Sequence, residues 1–284
     1  PPGGTGATVM PRANQRISGR KEKEVEIVVL LKQVPATESM IGIAEDGVSI
    51  KTADLKWVIS PYDEFAVEEA LRIKEAHGGK VTILTVGPDK ATEAIRTALA
   101  MGADEGILIN DPAALKCDGL GVARILAAAL KKIPYDIVIA GQRAVDDDNY
   151  LVGTAVAELL GIPNISVVNK QEISDGKIRC RRTIEGGVVV IEAPLPALFT
   201  TQRGLNEPRY ASLPGIMKAK KKPLATKTLA DIGLDAAALG EPKTKLVSLQ
   251  LPPERKGGRL VEGETAAEKA ATLVRLLAEE AKVL

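Results

Sequence analysis

Apolar residues recur along this chain in two alternating rhythms. Val25-Glu26-Ile27-Val28-Val29-Leu30-Leu31 is a nearly unbroken β-branched run, the signature of a strand buried on both faces. Lys32-Gln33-Val34-Pro35 closes it, and the proline predicts a turn. The stretch 41–50 alternates about Asp46-Gly47 and predicts a short hairpin. Ser60-Pro61-Tyr62-Asp63 starts a helix, with Ser60 expected as N-cap and Pro61 at the first helical position. Its apolar stripe of Ala66, Val67, Ala70, Leu71 and Ile73 ends at Gly78-Gly79. Strands are predicted next at 81–86, 106–109 and 136–140, with helices over roughly 91–101, 118–132 and from Thr154 onward. This order predicts a doubly wound, mainly parallel α/β sheet covered on both faces.

After Pro163 the rhythm changes. The runs 165–168, 178–183 and 188–191, with turns at Asp175-Gly176 and Gly186-Gly187, predict an antiparallel extension, and Ala197-Leu198-Phe199-Thr200 another short strand. From Gly204 the pattern is irregular, and residues 223–262 read as an extended tail. A last helix is expected from the capping box Thr265-x-x-Glu268, with Ala266, Ala270, Leu273, Leu277, Ala281 and Leu284 on one stripe that needs a surface to pack on. The organisation that follows is an N-terminal arm over 1–24, an α/β domain over 25–222, and a C-terminal arm over 223–284.

Composition narrows the function classes. A net charge of +1 gives no basic field for nucleic acid, and 2% aromatics gives no base-stacking platform. Cys117 and Cys180 form neither a disulfide framework nor a metal spacing, which fits a reducing, cytoplasmic setting. No apolar run is long enough to cross a bilayer. The first 24 residues are rich in Gly, Pro and Arg and lack an amphipathic face, so they read as a draped arm in preference to a transit peptide.

The chemistry concentrates where predicted strands end. Leu30 to Lys32, Val86-Gly87-Pro88 and the long loop from Gly141 to Gly153 all fall at carboxyl ends, where open α/β sheets bind ligands, and Ser60 to Asp63 adds a helix start. Together these would surround one nucleotide. The loop Gln142-Arg143-Ala144-Val145-Asp146-Asp147-Asp148-Asn149-Tyr150-Leu151-Val152 runs from a strand into a helix, a geometry that offers backbone N–H groups to phosphate. Its three acids read equally as a solvated cluster or as side chains that shape the loop for a phosphate held by main-chain N–H groups; a metal site is a weaker reading, for want of His or Cys nearby. Neither G-x-x-x-x-G-K-[ST] nor G-x-G-x-x-G occurs. His77 is the only histidine and falls at a helix end, so His-based triads are excluded, and no nucleophile–base pair is evident. Lys218, Lys220, Lys221 and Lys222 follow the apolar Leu213, Ile216 and Met217, either as a solvated end or as a docking patch for an acidic partner.

Five blocks resemble the beta subunit of electron-transfer flavoprotein, and the resemblance spans the chain from about Val25 to Leu284. They are Val29-Leu30-Leu31-Lys32-Gln33-Val34, residues 60–70 (SPYDEFAVEEA), residues 96–104 (RTALAMGAD), residues 142–148 (QRAVDDD) and residues 205–222 (LNEPRYASLPGIMKAKKK). The resemblance implies an adenine-nucleotide-hydrolase-like, Rossmann-like fold. It also implies a heterodimer with an alpha subunit, FAD at the junction held mostly by alpha, and a second nucleotide in the beta subunit. That nucleotide is AMP in ordinary members and a second FAD in electron-bifurcating members, where it oxidises NADH. The matching positions are Leu30, Ser60 to Asp63, Val86 and Gly141 to Val152. The partner-recognition loop maps to Arg209, Tyr210, Leu213, Ile216, Met217 and Lys218, with Leu213 as apolar anchor, and Lys218 and Lys221 match lysines that some members methylate. The partners implied are dehydrogenases and an acceptor resembling electron-transfer-flavoprotein–quinone oxidoreductase, in the cytoplasm or, for a eukaryotic member, the mitochondrial matrix.

The chain departs from both branches. After Asp148, AMP-type members resembling the human form have Cys-Asn-Gln-Thr-Gly, against Asn149-Tyr150-Leu151-Val152-Gly153 here. Bifurcating members read Asp-Gly-Asp-Thr-Ala-Gln-Val-Gly. This chain shares Val152-Gly153 with them and has Asp147 where they have Gly, so AMP and FAD both stay open. Thr37 stands where some members place a Tyr against the flavin. From a different class, a stand-alone adenine-nucleotide-binding protein would share the same fold.

Overall fold

A nine-stranded sheet forms the larger of two units in the computed structural model, which describes residues 24–253 and 257–284. Of the described residues, this unit contains Glu24 to Ile41 and again Thr52–Leu246. In order it runs β1 (Val25–Leu30), β2 (Gln33–Pro35), β3 (Trp57–Ile59), α1 (Pro61–His77), β4 (Gly79–Val86), α2 (Thr92–Met101), β5 (Glu105–Ile109), α3 (Gly119–Leu130), β6 (Ile137–Gly141), α4 (Val152–Leu160), β7 (Asn164–Ser174), β8 (Lys177–Ile184), β9 (Gly187–Pro194), β10 (Ala197–Thr201), α5 (Leu213–Ala219) and β11 (Leu224–Lys227). The strand order is β11-β5-β4-β1-β6-β10-β7-β8-β9. Pairing is parallel from β11 through β7 and antiparallel for β8 and β9, which is the expected doubly wound sheet with an antiparallel extension.

The central strand shows why its sequence is a continuous apolar run. Ile27 and Val29 face a core shared with Ala66, Val67 and Ala70 of α1 and Ile95 and Leu99 of α2. Val28 and Leu30 face the opposite core, with Ile125, Leu126 and Leu130 of α3 and Val156 and Ala157 of α4. Both faces are covered, so alternation vanishes. From β1 the chain moves to β4 and β5 on one side, then crosses to β6 on the other. The order therefore reverses between β1 and β6, and their carboxyl ends diverge into a crevice.

Strand β7 serves two pairings. Its first residues lie parallel to β10 and its remainder antiparallel to β8, with register shifts at Val168/Lys170 and Phe199/Thr201. Val167 takes φ 62°, rare for a β-branched residue, while its N–H donates to Thr200 Oγ1 at 2.9 Å. Asp175 and Gly176 both have positive φ, as the tight hairpin turn requires.

Three local expectations need correction. Ser60 stands at the N-cap of α1, but its hydroxyl makes no capping bond and is buried without a partner. The segment after Gly204, read as irregular, contains α5, capped by Ser212, whose Oγ accepts from Gly215 N–H. The chain also stays with the α/β unit beyond residue 222. Leu224–Lys227 completes the sheet beside β5, and Leu229, Ile232 and Leu239 are buried against the α3 side of the core.

The second unit comprises Gly42–Lys51 and Val247–Leu284. The hairpin expected about Asp46-Gly47 is a single bridge, Ile43 to Ile50, tightened by the Asp46 carboxylate accepting from Val48 N–H, Ser49 N–H and Ser49 Oγ. Helix α6 (Ala266–Glu279) has the complete capping box, Thr265 and Glu268 each satisfying the other's N–H. Among the described residues, no helix is long and apolar enough to cross a membrane.

Candidate functional site

The crevice between β1 and β6 is a cleft of about 380 Å³. That volume lies within the range typical of small-molecule sites, toward its small end. Its apolar wall is built from Leu30, Leu84, Val86, Ala114, Val122, Leu126 and Ala140. Its polar rim carries Lys32, Gln142, Arg143, Asp147 and Asn149. Of the residues singled out in the sequence, Leu30, Lys32, Asp63, Val86, Gly87, Gly141, Gln142, Arg143, Ala144, Asp147, Asn149, Leu151 and Val152 line the cleft. Ser60, Pro61, Tyr62, Val145, Asp146, Asp148 and Tyr150 do not line it; several of them hold residues that do.

Asp63 straps the switch point together. One carboxylate oxygen accepts the Lys32 N–H at 2.8 Å from the end of β1, and the other accepts the Gly141 N–H at 2.9 Å from the end of β6. Burial pushes its pKa up to about 7 against the opposing pull of those two N–H groups and the Lys32 charge. Gly141 leaves the room this requires, because a Cβ there would collide with Asp63 Oδ1 and the backbone of Tyr62.

The three consecutive acids are all paired. Lys32 Nζ lies 2.8 Å from Asp146 and 3.1 Å from Asp147, and Arg143 lies 2.7 Å from Asp148. Burial works against the Lys32 charge, but the two carboxylates outweigh it and hold its pKa above the ordinary lysine value. Asp147 also accepts from the Asn149 side chain at 3.0 Å, and Asn149 Oδ1 accepts the Leu151 N–H at 3.0 Å. Arg143 donates to Tyr62 Oη at 3.0 Å, and its guanidinium lies 5.0 and 5.4 Å from the Tyr62 and Tyr150 rings. These contacts hold Asp148 and Tyr150 at φ 48° and 54°, a left-handed conformation seldom taken by non-glycine residues. The acids thus shape the loop, with Lys32 shared between Asp146 and Asp147 and Arg143 held by Asp148. No group of three or more His, Cys, Asp or Glu among the described residues is placed to hold a metal.

The loop delivers the chain into α4, whose N-terminus has no side-chain cap. Its first-turn N–H groups have no intrahelical partner, and Val152 and Gly153 line the cleft. An uncapped helix start beside an apolar slot offers donors to an anion and a surface to a planar ring.

Sequence reasoning missed one wall. The stretch from Ala114 through Cys117 to Val122, at the start of α3, lines the cleft opposite the loop. Asp118 there caps α3 through the Gly121 N–H at 3.0 Å, which makes it resemble an ordinary helix start. Gly119 approaches the Asn149 side chain and Leu151 so closely that a Cβ would touch them at 3.0 and 3.3 Å, a signal visible only in the fold. Trp57, the single tryptophan, also lines the cleft and had drawn no attention.

The expected docking residues lie apart from the cleft. Tyr210, Leu213 and Met217 are 97%, 73% and 67% exposed, Ile216 is 45% exposed, and Lys218 and Lys221 are also exposed. Arg209 differs from them. Its side chain is bound to Glu68 and Glu75 of α1. Lys222 is likewise committed, donating to the carbonyls of Leu99 and Ala103.

Known proteins resemble this chain over most of its length. The model of the electron transfer flavoprotein domain matches residues 48–232. Electron transfer flavoprotein subunit beta of Bacillus subtilis (strain 168) is 44% identical over 92% of this chain and all of that protein. The protein of the same name from Bradyrhizobium diazoefficiens is 39% identical over 92% of this chain and all of its own length. The Caffeyl-CoA reductase-Etf complex subunit CarD of Acetobacterium woodii is 37% identical over 90% of this chain and 99% of its own.

Proposed function

The chain belongs to the family of electron transfer flavoprotein beta subunits, and from that premise we propose that it binds an adenine nucleotide in the switch-point cleft and pairs with an alpha subunit around a shared FAD. The observation that carries the nucleotide assignment is the cleft itself: an apolar slot of about 380 Å³ that meets the uncapped start of α4. Leu30, Val86, Val122 and Leu126 would hold an adenine ring, and the N–H groups of Val152 and Gly153 would receive a phosphate. Lys32, Arg143 and Asp63 fix the walls. Pairing with Lys32 and Arg143 offsets most of the acidic charge of the loop, so the phosphate would be received by the backbone N–H groups and not by these side chains.

The small volume supports AMP as the occupant. A second reading is favoured by a specific observation. Leu151 and Val152 are apolar where AMP-type members carry polar side chains, Val152-Gly153 matches the bifurcating pattern, and a relative bears the name of a reductase complex subunit. In that reading a second FAD occupies the cleft. The FAD shared with alpha would supply one- or two-electron chemistry between dehydrogenases and an acceptor. This chain's part is to complete that site and to present Leu213, Ile216 and Met217, ringed by Lys218, Lys220 and Lys221, to a partner with an apolar pocket and acidic surroundings.

Co-expression with an alpha subunit tests the pairing: a flavin absorbance spectrum is expected on the purified heterodimer, and a flavin-free chain that ignores alpha would overturn it. Acid release followed by chromatography tests the cleft. AMP supports the first reading and a second equivalent of FAD the second, while the absence of any adenine compound overturns both.

A further inference from the structure

The segment from Asn206 to Lys222 is held at both ends and bare in the middle. At its start, Asn206 donates to the Phe65 carbonyl at 3.0 Å and to Glu69 at 2.8 Å. Arg209 then grips α1. Its backbone N–H and Nε donate to Glu68 Oε2 at 3.1 and 2.8 Å, Nη2 to Glu68 Oε1 at 3.1 Å, and Nη1 and Nη2 to Glu75 at 2.5 and 3.1 Å. Glu68 and Glu75 are seven residues apart, two helical turns, so one face of α1 presents both. At the far end, Arg96 of α2 donates to the carbonyls of Ala219 and Lys222 at 2.6 and 2.9 Å. Gly215 passes so close to the Ala100 carbonyl that any Cβ would collide with it. Between these clamps Tyr210, Leu213 and Met217 stand in solvent.

We propose that Arg209 is a positioning residue that latches this docking segment onto α1 and presets the shape the partner meets, without itself touching the partner; this rests on the docking role given to the segment above. Four of the five guanidinium donors are already engaged with the two carboxylates, which leaves little to offer across an interface. The fork geometry is bidentate on both acids, a match that a lysine ammonium cannot reproduce. The large side chains of the middle are exposed while small residues, Ala211, Gly215 and Ala219, seat it on the core, so the clamp at Arg209 adds to that seating at the start of the segment, and preorganisation of this kind lowers the cost of binding. Glu68 is 2% exposed and would be left as a buried charge without Arg209, except that Arg72, one turn along α1, also holds it at 2.7 Å. The latch can therefore be opened without stranding Glu68.

The test uses the heterodimer with alpha, carrying Arg209→Ala, Arg209→Lys, Glu75→Gln, or the exchanged pair Arg209→Glu with Glu75→Arg. Amide hydrogen exchange is read over residues 207–218 and, as an internal control, over the cleft loop 146–151. Arg209→Ala is expected to speed exchange in 207–218 roughly tenfold, as loss of a charged hydrogen-bond cluster does, with the cleft loop unchanged. Arg209→Lys should recover only part of the protection, and Glu75→Gln should fall between. The second reading is flavin reduction by a dehydrogenase that reduces the unaltered heterodimer. KM for the heterodimer should rise in Arg209→Ala while kcat holds, and the exchanged pair should lower KM again relative to Arg209→Glu alone. Unchanged exchange in 207–218 overturns the latch. A loosened segment with unchanged KM overturns its role in docking. If no dehydrogenase reduces the unaltered heterodimer, the electron-transfer reading fails and the docking role of Arg209 falls with it, whereas unchanged exchange sinks the latch alone.

Discussion

Asp63→Asn isolates what a buried carboxyl does at the switch point. In the wild type, burial raises the Asp63 pKa from an ordinary value near 3.8 to about 7. The folded value lies above the unfolded one, so the contribution of the protonated form is complete below about pH 4 and lost as pH rises through about 7. A difference of roughly 3 units at 1.36 kcal/mol each makes the full loss about 4 kcal/mol. Asn carries no charge to bury and abolishes this slope. It introduces a different cost, because the Lys32 and Gly141 N–H groups both need acceptors and an amide supplies only one oxygen. One buried donor left facing an NH₂ group costs about 1–3 kcal/mol. The two effects have opposite pH profiles. Below about pH 4 Asp63→Asn should be the less stable protein by about 1–3 kcal/mol. From there the wild type loses about 1.36 kcal/mol per pH unit up to about pH 7, so the deficit should shrink by pH 5 and reverse above pH 7. Urea unfolding of both proteins at half-unit steps from about pH 3.5 to 8.5 measures the difference directly, with m-values checked for constancy. A deficit that stays the same across the whole range would refute the reasoning, since it would mean that Asp63 is ionised throughout and burial does not govern it.

Three further outcomes follow from the same geometry. Leu213→Ala should slow reduction by a partner dehydrogenase by an amount equivalent to ~2 kcal/mol or more while the bound nucleotide and flavin are retained, and an unchanged rate in stopped-flow measurements would remove its anchor role. Gly141→Ala places a methyl against Asp63 Oδ1 and Tyr62, so it should destabilise by roughly 1–3 kcal/mol and reduce the nucleotide content after purification; full occupancy at unaltered Tm would contradict the strap. Trp57 is the chain's single tryptophan and lines the cleft, so removing and restoring the nucleotide in the isolated chain should change its fluorescence reversibly, whereas a constant spectrum would place the ligand elsewhere.

The parts of this structure that were legible in the sequence are those where one local signal suffices. Val25–Leu30 reads as a two-face buried strand because every position but Glu26 is apolar, and Pro61 marks a helix start whatever surrounds it. The loop from Gly141 was legible as a candidate site because three adjacent acids after a strand demand an explanation. Their pairing was not, since the cations that hold them are Lys32, at the end of a different strand, and Arg143, whose side chain is turned back over Tyr62 and Tyr150. What sequence hides is pairing across long separations. Leu224–Lys227 has little apolar character and follows a proline, so only its place beside β5 makes it a strand. Pro214 and Gly215 look like helix breakers, yet Pro214 falls in the first turn of α5, where its missing N–H costs nothing, and Gly215 permits the approach to Ala100. The start of α3 carries no motif and still supplies a wall of the cleft. Arg209 is the sharpest instance. Its place in a recognisable block marks it as an expected docking residue, and only the fold shows its bonds to Glu68 and Glu75, more than 130 positions earlier. A block of residues can thus mark a candidate segment while leaving open which side chains are exposed and which hold the others in place. Only the partners of each side chain separate the two.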